Sequence, residues 1–119
     1  MKNTLAILSI IATLLFTSCQ TKNVTITNVS PNGKVKTTIK GSHQGISPWK
    51  VELDVKAYEF KEGHLAFEVE TGDVSDKTVK FDWKDDRNCI ISFDEPDGKP
   101  RTFQLIADAS QVQLAEVTP

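Results

Sequence analysis

The mature part of this 119-residue chain predicts an all-β fold, an antiparallel β-sandwich of seven to eight short strands. Three observations carry that expectation. Apolar and polar residues alternate with a period of two in run after run, helical periodicity is almost absent, and the runs are separated by short clusters of turn-forming residues. Connections this short suit hairpins, whereas a parallel crossover needs about a dozen residues and usually a helix. A small barrel is the second architecture that fits.

The first expected strand is "VTITNV" at 24–29, followed by the turn "SPNG" at 30–33, where Pro31 suits the first central position and Gly33 supplies positive φ. "KVKTTIK" at 34–40 is the second. Residues 41–49, "GSHQGISPW", form the longest break in the pattern, and their two glycines and Pro48 are expected to exclude a strand. The clearest strand is "KVELDVKAYEF" at 50–60, with Val51, Leu53 and Val55 on one face and Glu52, Asp54 and Lys56 on the other. Its phase changes at Tyr58 and Phe60, as a β-bulge or an edge-to-core transfer would cause.

"KEGH" at 61–64 is expected as a turn with His64 on the surface, before "LAFEVET" at 65–71. The strands "KTVKFDW" (77–83), "CIISF" (89–93) and "TFQLIA" (102–107) follow, separated by the turns "DDRN" and "EPDGKP". The last segment has two readings. Asp108 and Gln111 match a capping box that would open a helix, while the Val112/Leu114 alternation continues a strand, which is preferred.

Alternation assigns the core to Val35, Ile39, Val51, Leu53, Val55, Leu65, Phe67, Val69, Val79, Phe81, Trp83, Ile91, Phe93, Phe103 and Leu105. Cys89, in phase with Ile91 and Phe93, is expected as a small buried hydrophobe; no His or Lys adjoins it in sequence to activate the thiol.

The start of the chain has a different grammar. Lys2, an apolar stretch from Leu5 to Phe16, and Thr17-Ser18 form a secretory signal peptide over residues 1–18. The apolar stretch is too short for a spanning helix, which needs about 20 residues. Phe16-Thr17-Ser18-Cys19 resembles the lipobox of bacterial lipoproteins, with Phe16 where Leu, Val or Ile is usual. That resemblance implies cleavage before Cys19, a diacylglyceryl thioether on its sulfur, and usually an amide-linked acyl chain as well. It also implies a cell-envelope location, the outer membrane if the cell is Gram-negative, since Gln20 stands where Asp would signal inner-membrane retention. Two or three acyl chains make a stable anchor where one is marginal. Residues 19–23 then form the lipidated cysteine and a short linker, and 24–119 the sandwich domain, seated close to the bilayer.

Without residues 1–18 the chain has 101 residues, one domain, carrying 13 basic and 16 acidic side chains. No block of Lys or Arg appears, which argues against a nucleic-acid partner. The acidic turns "FDEPDG" and "DWKDD" do not match a calcium loop, and His43 and His64 lack further ligands at zinc spacing. No metal or cofactor is expected. "SPNGK" and "FDWKDDRNCIISF" are similar to the turn-and-strand phrasing of bacterial β-propeller blades and of small exported proteins of uncharacterised function. A propeller needs at least four blades of about forty residues, more than this chain holds.

The expected function is a non-catalytic binding or accessory module, held at the membrane through Cys19, with another envelope protein or a glycan as partner. Trp49, His43 and Tyr58 are the candidate binding residues. Trp49 either offers an exposed indole on which a sugar stacks or plugs one end of the sandwich. A glycan-binding module using Trp49 is the first alternative. A small envelope hydrolase is the third reading, favoured only if His43 or His64 meets a carboxylate in a convergent pocket.

Overall fold

The computed structural model describes residues 21–70, 73–95 and 98–117; the expected signal peptide, Cys19 and Gln20 lie outside the described residues. Eight strands follow in order: β1 (Lys22–Val29), β2 (Val35–His43), β3 (Trp49–Ala57), β4 (Lys61–Val69), β5 (Val79–Trp83), β6 (Asn88–Phe93), β7 (Arg101–Ala107) and β8 (Val112–Val117). They form two four-stranded antiparallel sheets, β1-β2-β3-β4 and β5-β6-β7-β8. Each sheet is a meander of hairpins, and the two pack face to face as a β-sandwich.

The facing order is set by contacts at the two open sides. On one side Trp83 of β5 donates its indole N–H to Asn28 Oδ1 of β1 at 2.7 Å. On the other, β4 lies against β8, and a β-carbon on Gly63 would stand 2.5 Å from Val112 Cγ1. The β4–β5 connection therefore crosses from one side of the sandwich to the other. It drops Val74, fully buried, beneath the strand ends near Gly41. The same end holds the chain entry at Thr21, the 44–48 loop, and residues 94–95 and 98–100 between β6 and β7. Loops 30–34, 58–60, 84–87 and 108–111 make the far end.

Alternation produces the core as expected, with one graded exception. Leu65, Phe67, Phe81 and Trp83 are half-buried while the other predicted core residues are buried; all four lie on β4 and β5, outer strands of their sheets, where only Val69 and Val79, at the entry end, are buried. Phe67 nevertheless reaches between the sheets, with ring centroids 5.2 Å from Phe93 and 4.3 Å from Phe103. Arg101 closes this corner. It pairs with both carboxylate oxygens of Glu116 at 2.7 and 3.1 Å, donates to the Glu68 carbonyl of the opposite sheet, and lies 5.2 Å from the Phe67 ring centre.

Four local expectations are corrected. β1 begins at Lys22, two residues early. Gly41–His43 belong to β2, so the break in pattern shrinks to 44–48; Gly41 tolerates the strand because its missing side chain admits Trp49. "KEGH" is the start of β4, with Gly63 admitting Val112. The phase change at Tyr58 is the hairpin turn 58–60 itself, not a bulge, and Tyr58 takes the left-handed conformation with φ 56°.

The final segment is a strand, β8, and Asp108 caps its turn instead of a helix. Its Oδ1 accepts from the backbone N–H groups of Ser110 and Gln111 at 2.8 and 3.0 Å.

Candidate functional site

Two of the three candidate binding residues meet at the entry end, and neither is an open platform. Trp49 is 1% exposed, so the stacking indole is corrected to a core residue. It begins β3 beside Gly41 and Val74, with the His43 imidazole stacked on it at 5.0 Å and Lys22 Nζ 5.9 Å from its ring centre. The indole thus plugs this end of the sandwich, and His43 is spent covering it.

His64 has a different neighbour. It stands on the outward face of β4, and its Nδ1 donates to Asp54 Oδ1 of β3 at 2.6 Å in an open groove of about 330 Å³ that also carries Thr38 and Lys40. A His–carboxylate pair is the feature that would raise the hydrolase reading, and the ladder decides what it can do. Thr38 pairs with Asp54, and Asp54 pairs with His64, so the carboxylate occupies the middle strand. A nucleophile–base–carboxylate relay needs the imidazole in the middle. Strands lie about 4.8 Å apart, which puts the Thr38 and His64 backbones roughly 9–10 Å from one another. Both members of the pair are also well exposed, so the site excludes no water. The hydrogen-bonded His64–Asp54 pair lies on a charged sheet face that also carries Lys36, Lys40, Lys56 and Glu62.

Cys89 is fully buried in β6, and burial pushes its thiol up to about 11, away from the ionised, nucleophilic form. Among the described residues, no three His, Cys, Asp or Glu side chains gather where they could hold a metal ion. No described helix is long and apolar enough to cross a membrane.

The far end presents the third candidate residue, together with one that sequence reasoning passed over. Tyr58 is half-buried against the core, and its backbone N–H donates to the Lys34 carbonyl at 2.8 Å, tying the 58–60 turn to the neighbouring hairpin. That bond fixes the turn, and Phe60 is thrown outward, 85% exposed. Gly33, Lys34, Glu59 and, from the other sheet, Ala109 complete an open recess of about 550 Å³ beside these two rings. Val29, also exposed, ends β1 at this end of the sandwich.

A non-glycine residue in the left-handed region costs about 1–2 kcal/mol, and such residues concentrate at binding sites. The signal available in the sequence was the loss of period-two phase at Tyr58, which marks the turn. What it lacked was the direction of Phe60, which depends on where the turn begins.

Compared with protein-family profiles, with curated proteins and with solved structures, the chain matches none.

Proposed function

We propose that this chain is a membrane-anchored lipoprotein of the bacterial cell envelope, a non-catalytic module that engages another envelope protein through its far end. The observation that carries the reading is the pairing of a solvent-exposed Phe60 with a conformationally fixed Tyr58. This tip lies across the length of the sandwich from the chain entry that follows Cys19. β3 alone, nine residues long, separates the two ends by eight rises of about 3.3 Å, roughly 26 Å. Lipid at one end and an apolar tip at the other would suit a module that reaches from a membrane toward a partner.

A protein is favoured over a glycan by the arrangement of the rings. Sugar recognition by stacking uses a planar aromatic surface, and among the described residues Phe60 alone is an exposed aromatic side chain, with Trp49 buried. Burying one Phe contributes about 1.5–3 kcal/mol, enough for an anchor residue of an interface.

Incorporating a photo-crosslinking phenylalanine analogue at position 60 of the lipidated protein in its own cells tests the proposal. One discrete protein adduct is expected from position 60 and none from position 36 on the charged face. Adducts to polysaccharide would favour the glycan reading, and no adduct from position 60 would remove the tip as a docking point. The anchor is tested separately by palmitate labelling, which should disappear in Cys19→Ser.

A further inference from the structure

We infer that Ile46 is a membrane contact: the 44–48 loop seats this side chain at the boundary between lipid headgroups and acyl chains. The inference rests on the lipid-anchor reading above and adds to it the face that the domain turns toward the bilayer.

Ile46 is the most exposed large hydrophobic residue described, at 105% of its reference area. Its exposure is built in. The loop is closed by Ser47 N–H donating to the Gln44 carbonyl at 3.2 Å, and it is rooted in His43 and Trp49, the ends of two core strands. Isoleucine at the apex of a tight, rooted turn has no neighbour among the described residues to cover it.

The chain enters beside this loop. Lys22 is opposite His43 in the β1–β2 ladder, and Thr21 lines a small recess with Gln44, Ser47 and Pro48. Only Gln20 and Thr21 separate Cys19 from Lys22. Three Cα–Cα steps reach at most about 11 Å, so acyl chains on Cys19 would leave from a point next to the 44–48 loop. A thioether-linked glycerol sits at headgroup depth, which brings the loop into the same layer. The apolar faces of membrane-surface helices lie about 5–10 Å into that boundary, the layer into which the apex of the loop is brought.

Charge sets the tilt. Beyond Pro48, on the side away from β1, Glu68, Glu70 and Glu95 surround Arg101 in an acidic recess. Carboxylates are repelled by anionic headgroups, so the domain leans on the corner made by β1, β2 and β3 and lifts the β4 corner. Lys22 and Lys50 flank the loop on the leaning side, Lys22 also pairing with Asp73 at 3.9 Å.

The test uses the acylated mature protein with Ile46→Cys or, as the far-end control, Glu59→Cys. Each is labelled with an environment-sensitive nitrobenzoxadiazole dye and reconstituted into vesicles of phosphatidylethanolamine and phosphatidylglycerol. Buried Cys89 stays unlabelled in the folded protein. The dye at position 46 is expected to brighten severalfold, shift to shorter wavelength and be quenched by lipids carrying nitroxide on the upper acyl chain, while the dye at 59 reports water. If protein that carries the acyl mass and floats with vesicles shows a water-like dye at 46, the membrane contact is overturned and the anchor stands. Protein without the acyl mass overturns both. Shielding at 46 in native membranes but not in pure lipid would assign Ile46 to a protein partner and overturn the inference too.

Discussion

Gly41 gives Trp49 its place: a β-carbon on Gly41 would stand 3.2 Å from Cε3 of the indole and 3.4 Å from Val74 Cγ1. The glycine, the indole and the crossing loop therefore seal the entry end as one unit. Gly41→Val inserts branched bulk into that contact, and overpacking of a filled core costs about 1–3 kcal/mol. Urea unfolding should show a lower midpoint with unchanged slope, and Trp49 fluorescence should move toward longer wavelength. A midpoint equal to wild type would mean that the end is looser than its packing implies.

This seal also explains which parts of the fold were legible in the sequence. Strands whose inward residues are large and apolar, such as Val51-Leu53-Val55, announce themselves by alternation, because one face meets core and the other water. Gly41 and Gly63 broke that signal: both read as turn residues, yet each is a strand position where a partner side chain fills the space a β-carbon would take. Trp49 followed Pro48 and looked like loop for the same reason. The far-end site was half legible. Tyr58 drew attention through the phase change, whereas the outward aim of Phe60 follows from the three-residue turn and from the bond between Tyr58 and Lys34, which join segments far apart in sequence.

Thr37 is fully buried on the inward face of β2, and its hydroxyl has no hydrogen-bond partner among the described residues. Desolvating an unpaired polar group costs about 1–3 kcal/mol. Thr37→Val removes the hydroxyl and nearly preserves shape, so it should stabilise the domain by about 1 kcal/mol. A raised urea midpoint checks this. A lowered one would show that the hydroxyl is satisfied after all.

At Tyr58 the backbone and the side chain pull in opposite directions. The φ of 56° is strained for any residue with a β-carbon, while the ring packs against the core. Comparing Tyr58→Ala with Tyr58→Gly separates the two, since both lose the ring and only glycine loses the strain. The glycine variant should be the more stable by about 1 kcal/mol, the reverse of the order in an ordinary extended segment. Equal stabilities would place the turn in another conformation in solution.

Acid sensitivity should centre on Glu116. The Arg101 guanidinium holds this carboxyl below its ordinary value of 4.5, chiefly by direct hydrogen bonds. The folded protein therefore binds fewer protons here than the unfolded chain as pH falls below about 4.5. The pair's contribution is complete above that pH and is lost as pH drops through the lowered value. Because the pair is partly solvated, Glu116→Gln should cost about 1 kcal/mol or less at pH 7. The difference between variant and wild type should vanish once pH has fallen below the lowered Glu116 value, leaving any decline due to Asp85 and Asp108, whose carboxyls are lowered by their own turn hydrogen bonds. A difference that persisted at low pH would mean that Glu116 acts by packing rather than by charge.

The two cysteines of the chain give a count that separates the fold from the anchor. Cys89 lies in the core with a thiol raised to about 11 from an ordinary 9.0, so Ellman's reagent at pH 8 should find it unreactive in the native protein. In guanidinium the same residue becomes a normal thiol. If the sulfur of Cys19 carries lipid, the denatured mature protein titrates one thiol, and Cys19→Ser titrates one as well. Two thiols in denatured wild type would leave Cys19 unmodified and remove the anchor, whereas a reactive thiol in native Cys19→Ser, which keeps only Cys89, would challenge the buried position of Cys89. The native reading of Cys19→Ser reports on Cys89 alone, and the difference between denatured wild type and denatured Cys19→Ser reports on Cys19 alone, so either result can fail without disturbing the other.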